Sequence, residues 1–161
     1  MIERYSRPEM SRIWSEENRL RTMLRVEEVF LEVLSKDKGI PASELRALKT
    51  VLQQGLAEQV KSQEARSGHE VIGLISAVAG KIQEKAPRLG RYLHYGLTSS
   101  DVLDTAMAIQ LRDSADLLIA GWLEVAGRIR SLSRKHELTW MPGRTHGVHA
   151  EPITFGLKLA V

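Results

Sequence analysis

Between Trp140 and Pro152 the chain places Arg144, Thr145, His146, His149 and Glu151 within a few residues of one another. Imidazole changes its charge near neutral pH, and a guanidinium offers paired donors that match a carboxylate or phosphate. The stretch therefore holds the groups needed for acid–base catalysis on an anionic substrate. Pro142, Gly143, Gly147 and Pro152 interrupt it. Because proline lacks a donor and glycine weakens regular structure, they predict a structured loop rather than a helix or strand interior. An ordinary polar surface loop has the same composition. His146 and His149 are spaced to share a metal ion, but no third ligand has a recognisable position, so no metal is expected.

Two further polar breaks lie upstream. Ser67-Gly68-His69-Glu70 precedes an apolar run from Val71 to Ile82 that reads as a buried helix, which puts His69 near a helix N-terminus. There the free amides and the dipole favour an anion, so His69 either helps to bind a carboxylate or simply caps and packs the helix. Thr98-Ser99-Ser100-Asp101 precedes a proline-free run from Val102 to Lys135. One of the four must cap that helix; the others are either spare donors for an anion or no more than a serine-rich cap. At the N-terminus Arg4, Tyr5 and Arg7 form an arm that could clamp an anion or fray. Neither His69-Glu70 nor His136-Glu137 continues into the helical zinc-protease motif, since Gly73 and Trp140 stand where the second histidine belongs. The chain has neither a glycine-rich phosphate loop nor a Gly-x-Ser-x-Gly elbow, which removes nucleoside-triphosphatase and hydrolase readings.

Helices must position these breaks. A short one is expected from Pro8 through Trp14, and Ser15 then caps a long amphipathic helix carrying Leu20, Leu31 and Leu34 that stops before Gly39-Ile40-Pro41. Pro41 suits the first turn of a third helix with Leu45, Leu48, Val51 and Leu52 that ends near Gly55, and a fourth runs from Leu56 to about Arg66. Ala86-Pro87-Arg88-Leu89-Gly90 reads as a loop. The run from Val102 to Lys135 makes a rod of roughly 50 Å at about 1.5 Å per residue, the length of a bundle helix or a partner-binding surface. Trp14 and Trp122 are read as core, and no strand is expected.

Composition narrows the classes. A chain of 161 residues, 43% hydrophobic and 27% charged, has room for one modest core. Having no cysteine, it lacks disulfide and thiolate chemistry and agrees with a reducing compartment, so the cytoplasm is the expected location. A net charge of +3 and a pI near 9.3 permit an anionic partner, yet basic residues are interleaved with acidic ones and only 5% of residues are aromatic. A phosphorylated small molecule fits that balance, and nucleic acid is not expected. The longest uncharged apolar run, Val71 to Gly80, is too short to span a bilayer, so no membrane partner is expected.

Tyr95-Gly96-Leu97-Thr98-Ser99-Ser100-Asp101-Val102-Leu103-Asp104-Thr105-Ala106 and Gly143-Arg144-Thr145-His146-Gly147-Val148-His149-Ala150-Glu151-Pro152-Ile153-Thr154-Phe155-Gly156-Leu157-Lys158 closely resemble two signature regions of the adenylosuccinate lyase family, within the fumarase/aspartase superfamily. Arg4-Tyr5 and His69-Glu70 fall where that family has matching residues, and the resemblance runs the length of the chain. It implies an all-α fold: a small helical N-terminal domain over residues 1–93, then over 94–161 the first long helices of the superfamily's central helical bundle. It also implies a lyase, without a cofactor, that cleaves adenylosuccinate to AMP and fumarate and treats a succinylated aminoimidazole ribotide in the same way in purine biosynthesis. On this analogy His146 is the general acid and His69 assists it. Gly68, Glu70, Thr98 and Ser99 contact the substrate, while Arg4 and Tyr5 hold its phosphate. The family's homotetramers build each active site from three chains.

The chain departs from the family at two places. A basic residue usually precedes the first histidine and an aspartate follows it, where this chain has Gly68 and Glu70. The family's Gly-Ser-Ser-x-Met-Pro loop, which supplies the general base, occurs nowhere in the sequence, and Val161 ends an apolar helical run without a stop signal. The expectation is the N-terminal part of a larger enzyme, inactive by itself. Two other readings stay open: a non-enzymatic structural protein of the same fold, and a helical binding module that uses its arm and basic surface.

Overall fold

The computed structural model describes residues 3–52, 56–83 and 85–161. A 3-10 turn, Glu3–Tyr5, leads into α1 (Pro8–Ile13), where Pro8 occupies a first-turn position that needs no amide donor. Trp14 follows this helix rather than joining it. Ser15 Oγ accepts the Asn18 amide, Glu16 and Glu17 sit at the positive end, and α2 (Glu16–Lys38) runs until Gly39 turns left-handed at φ 61°. α3 (Ala42–Leu52) begins directly after Pro41, whose carbonyl accepts the Glu44 amide. The expected end of that helix near Gly55 lies outside the described residues. α4 (Ala57–Ser67) stops at Gly68, left-handed at φ 66°, and α5 (Glu70–Ile82) follows.

The expected loop at 86–90 is instead a four-residue helix, α6 (Pro87–Gly90). The physical reason lies 44 residues away. Glu44, buried on α3, points its Oε2 at the amides of Arg88 and Leu89, 2.9 Å from each, and so satisfies donors that a short helix start would leave bare.

α7 (Ser99–Lys135) is the longest element, and the chain divides within it into two compact units, Met1–Ser114 and Ala115–Val161. The first unit holds the core. α2 buries the stripe Leu20, Met23, Leu24 and Leu31, which meets Leu48 and Val51 of α3 and Val71, Leu74, Val78 and Ile82 of α5; Val102 and Ala106 close it from α7. Each such side chain contributes about 1.5–3 kcal/mol when fully buried. α4 and α5 approach so tightly that a Cβ on Gly73 would lie 2.8 Å from the Glu64 amide nitrogen. On the surface Lys49 bridges Glu28 and Glu32, and its hydrogen bond holds the Glu32 carboxyl below the usual glutamate range. A carboxyl lowered on folding stabilises at and above that range and loses its contribution as pH falls through the lowered value. Solvent exposure keeps this contribution small.

The second unit corrects the expectation that there would be no strand. Trp140–Thr145 forms β1 and Val148–Thr154 forms β2, an antiparallel hairpin across the stretch read as a loop. In a two-stranded sheet every strand has a free edge, so Pro142 and Pro152 sit opposite each other without breaking a ladder. Gly143 faces the two residues Ala150 and Glu151, a bulge that shifts the register, and a Cβ there would come within 2.7 Å of the Glu151 carbonyl oxygen. α8 (Phe155–Ala160) starts where Thr154 Oγ1 accepts the Leu157 amide. Its first turn is tied to the end of α7: Gly156 N–H donates to the His136 carbonyl at 2.9 Å, and Ser133 Oγ donates to the Gly156 carbonyl at 2.8 Å.

Trp14 and Trp122, expected in the core, are 40% and 71% exposed. Trp14 caps the end of a short surface helix, and the α7 face carrying Trp122 has no covering layer within its own unit. Among the described residues no helix is long and apolar enough to cross a membrane.

Candidate active site

In the first unit two helix N-termini meet. Gly68 ends α4 with a positive φ, which turns the chain so that His69 becomes the extended N-cap of α5. The His69 amide donates to Ser67 Oγ at 3.2 Å, and the Gly73 amide donates to the His69 carbonyl at 2.9 Å. This leaves the imidazole exposed and free to face outward. Its Nε2 lies 3.4 Å from Oγ of Ser99, the first residue of α7. The two positive helix ends thus converge on one histidine and one hydroxyl, an arrangement that favours an anion.

The start of α7 is held by a carboxylate. Asp101 Oδ2 accepts the Thr98 amide at 2.7 Å, the reach-back half of a capping box, while the Asp101 amide donates to the Thr98 carbonyl. Asp101 therefore does the capping, and Thr98 is exposed with its hydroxyl unused among the described residues. The surplus hydroxyls read from the sequence are present at this position.

Glu70 opens α5 and pairs with Arg19 of α2, which also holds Glu16 through two hydrogen bonds of 2.7 and 3.1 Å. The Arg19 hydrogen bond lowers the Glu16 carboxyl from its usual value. Glu70 Oε1, which makes no hydrogen bond of regular geometry, faces the guanidinium that Glu16 also uses. The pairing ties α5 to α2.

Arg4 and Tyr5 are exposed on the N-terminal turn, the guanidinium stacked 4.8 Å above the Tyr5 ring centroid. Among the described residues no hydrogen bond or ion pair joins them to His69, Thr98 or Ser99. His146 belongs to the second unit and is placed at the hairpin tip. Thr145 pairs with Val148, so His146 and Gly147 form a two-residue turn with φ of 51° and 77°. Positive φ at both positions is the signature of a type I′ turn, the connection that suits strand twist. His146 is exposed there, as is His149 on β2. Among the described residues no cluster of three or more histidine or carboxylate side chains is placed to hold a metal ion.

Three residues near the site escaped the reading of the sequence. Arg19 looked like one of many surface charges. Glu27, buried, and His94, half-buried, form a pair described below, and the available signal was a glutamate falling on the apolar stripe of α2 between Leu24 and Leu31.

Known proteins resemble this chain in sequence and in fold. The sequence pattern of a family described as lyase matches residues 3–161. The chain is 42% identical over 163 residues to adenylosuccinate lyase of Aquifex aeolicus and 39% identical over 161 residues to that of Bacillus subtilis, covering all of this chain and 36% of each relative. Among solved structures, 3-carboxy-cis,cis-muconate lactonizing enzyme from Pseudomonas putida superposes with a TM-score of 0.85 at 32% identity, over 97% of this chain and 36% of that one. Fumarate lyase from Mesorhizobium sp. BNC1 gives 0.79 at 26% identity, over 94% and 35%. The chain thus spans little more than a third of the length of its relatives, and with a match that runs from residue 3 to residue 161 it belongs to the lyase family.

Proposed function

We propose that this chain forms the N-terminal part of an enzyme that eliminates fumarate from adenylosuccinate, leaving AMP, and from the corresponding succinylated aminoimidazole ribotide. The observation that carries the reading is the meeting of His69 and Ser99 at two helix N-termini, in a chain similar over its whole length to proteins named for that substrate. The reaction removes a carbon-bound proton beside a carboxylate and then breaks a C–N bond. It needs fixed donors for an intermediate rich in negative charge and an acid for the departing nitrogen. Ser99, Thr98 and the α7 amides supply such donors. His146 gives the leaving nitrogen its proton, since imidazole can be protonated near neutral pH, and His69 binds substrate and assists. Gly68 lends backbone to the same contact. Glu70, held against Arg19, fixes the α5 start and contacts the substrate beside His69. Arg4 and Tyr5 hold the nucleotide phosphate.

The base that takes the carbon-bound proton lies in a segment outside these 161 residues. The complete enzyme is a cytoplasmic homotetramer with sites shared between subunits, divided near residues 93 and 94 into a helical domain and a bundle. His146→Ala in the complete protein lowers turnover by roughly 100-fold to 10,000-fold with the fold intact. Unchanged turnover in a folded variant rules out the assigned acid.

A further inference from the structure

Glu27 is a glutamate in the middle of α2 with only 1% of its surface exposed. A carboxylate so deep is costly unless its oxygens are used. Both are, and by one residue: Oε2 accepts the His94 amide at 3.0 Å, and Oε1 lies 2.5 Å from His94 Nδ1. With a carboxylate as acceptor, Nδ1 carries the proton. His94 itself sits at φ 59°, a conformation a side chain other than glycine adopts only where its surroundings hold it. The Leu97 amide then returns to the His94 carbonyl, and Gly96 turns left-handed at φ 76°. Directly afterwards come Thr98 and Ser99.

We infer that Glu27 is a positioning residue: its carboxylate clamps the strained turn at His94 and thereby fixes where the α7 N-terminus presents Thr98 and Ser99 to the substrate. The role rests on the function proposed above. Glu44 provides an internal comparison, because it holds backbone amides of the same connection six and five residues before His94, at Arg88 and Leu89 on α6. The amides that Glu44 holds lie further from the hydroxyls along the chain than His94 does, and among the described residues no hydrogen bond joins Glu44 to the turn. An alternative in which Glu27 only stabilises the first unit makes a different forecast. Loss of fold reduces the amount of active enzyme and so apparent kcat, whereas misplaced substrate donors raise KM.

The test is steady-state cleavage of adenylosuccinate by the complete protein. Glu27→Ala raises KM about tenfold with kcat within about threefold of wild type. Glu27→Gln restores KM to within about threefold, because its amide oxygen still accepts the His94 amide and its NH2 can donate to Nδ1 after a tautomer change. Glu44→Gln, which keeps an acceptor for both α6 amides, leaves KM at the wild-type value. Should Glu27→Ala not fold, Glu27→Asp, too short to span both His94 contacts, takes its place with the same expected rise. An active wild type with unchanged KM in the folded Glu27 variant overturns the positioning role alone, as does an equal rise in Glu44→Gln. Failure of both short variants to fold, with Glu27→Gln at wild-type KM, assigns Glu27 to stability and overturns it too. A wild type that releases no fumarate overturns the functional reading and this role with it.

Discussion

Ser99 and His69 lie 30 residues apart in sequence and 3.4 Å apart in space, and neither side chain caps its helix. The reach of Asp101 to the Thr98 amide already caps α7. Replacing Thr98 and Ser99 together by alanine is therefore expected to raise KM for adenylosuccinate about tenfold, the cost of lost hydrogen bonds to a charged ligand. The loss of stability stays below about 1 kcal/mol. Calorimetric melting and steady-state kinetics on the same preparation separate the two effects. A collapsed melting temperature with unchanged KM makes these residues structural. The residue types were legible in the sequence because histidine, hydroxyl and guanidinium announce their chemistry. Their partners were not. Glu27 with His94 and Arg19 with Glu70 are contacts between elements far apart in the chain, and no local pattern encodes them.

At the scale of elements, α2, α4, α5 and α7 could be read from apolar spacing together with Ser15, Gly39 and Gly68 at their ends. These signals are local, and so is the physics behind them. α6 and the hairpin depended on something else. A buried carboxylate on α3 completes α6, and proline inside a strand is tolerated only because each strand of the hairpin has an open edge. The turn itself was written in His146-Gly147, since a dipeptide ending in glycine between pairing residues suits positive φ at both positions. The hairpin is anchored where Gly156 crosses the end of α7. A Cβ there would lie 2.5 Å from the Ser133 carbonyl oxygen and 2.7 Å from Glu137 Cα, both backbone. Gly156→Ala is expected to destabilise the chain by about 1–3 kcal/mol through overpacking. Urea denaturation checks this, and an unshifted midpoint contradicts the close approach.

At the scale of the molecule, α7 carries Leu118, Ile119, Trp122, Leu123 and Leu132 on its surface, Trp122 the most open of them at 71%. A soluble monomer rarely keeps so many large apolar side chains along one helix. The isolated 161-residue chain is expected to self-associate at micromolar concentration. Light scattering reads its mass, and a strictly monomeric solution contradicts an unpaired bundle helix. The relatives are nearly three times as long as this chain, which agrees with further helices covering that face in the complete protein.

The appearance of fumarate from adenylosuccinate, followed by ultraviolet absorbance in the complete protein and in the isolated chain under the same conditions, tests the proposed reaction most directly. The complete protein is expected to turn over, and the chain by itself is expected to stay at the buffer rate because the reading proposed above puts the base outside it. A complete, folded protein that leaves adenylosuccinate intact contradicts the assigned reaction, and turnover by residues 1–161 alone contradicts the assigned division of the site.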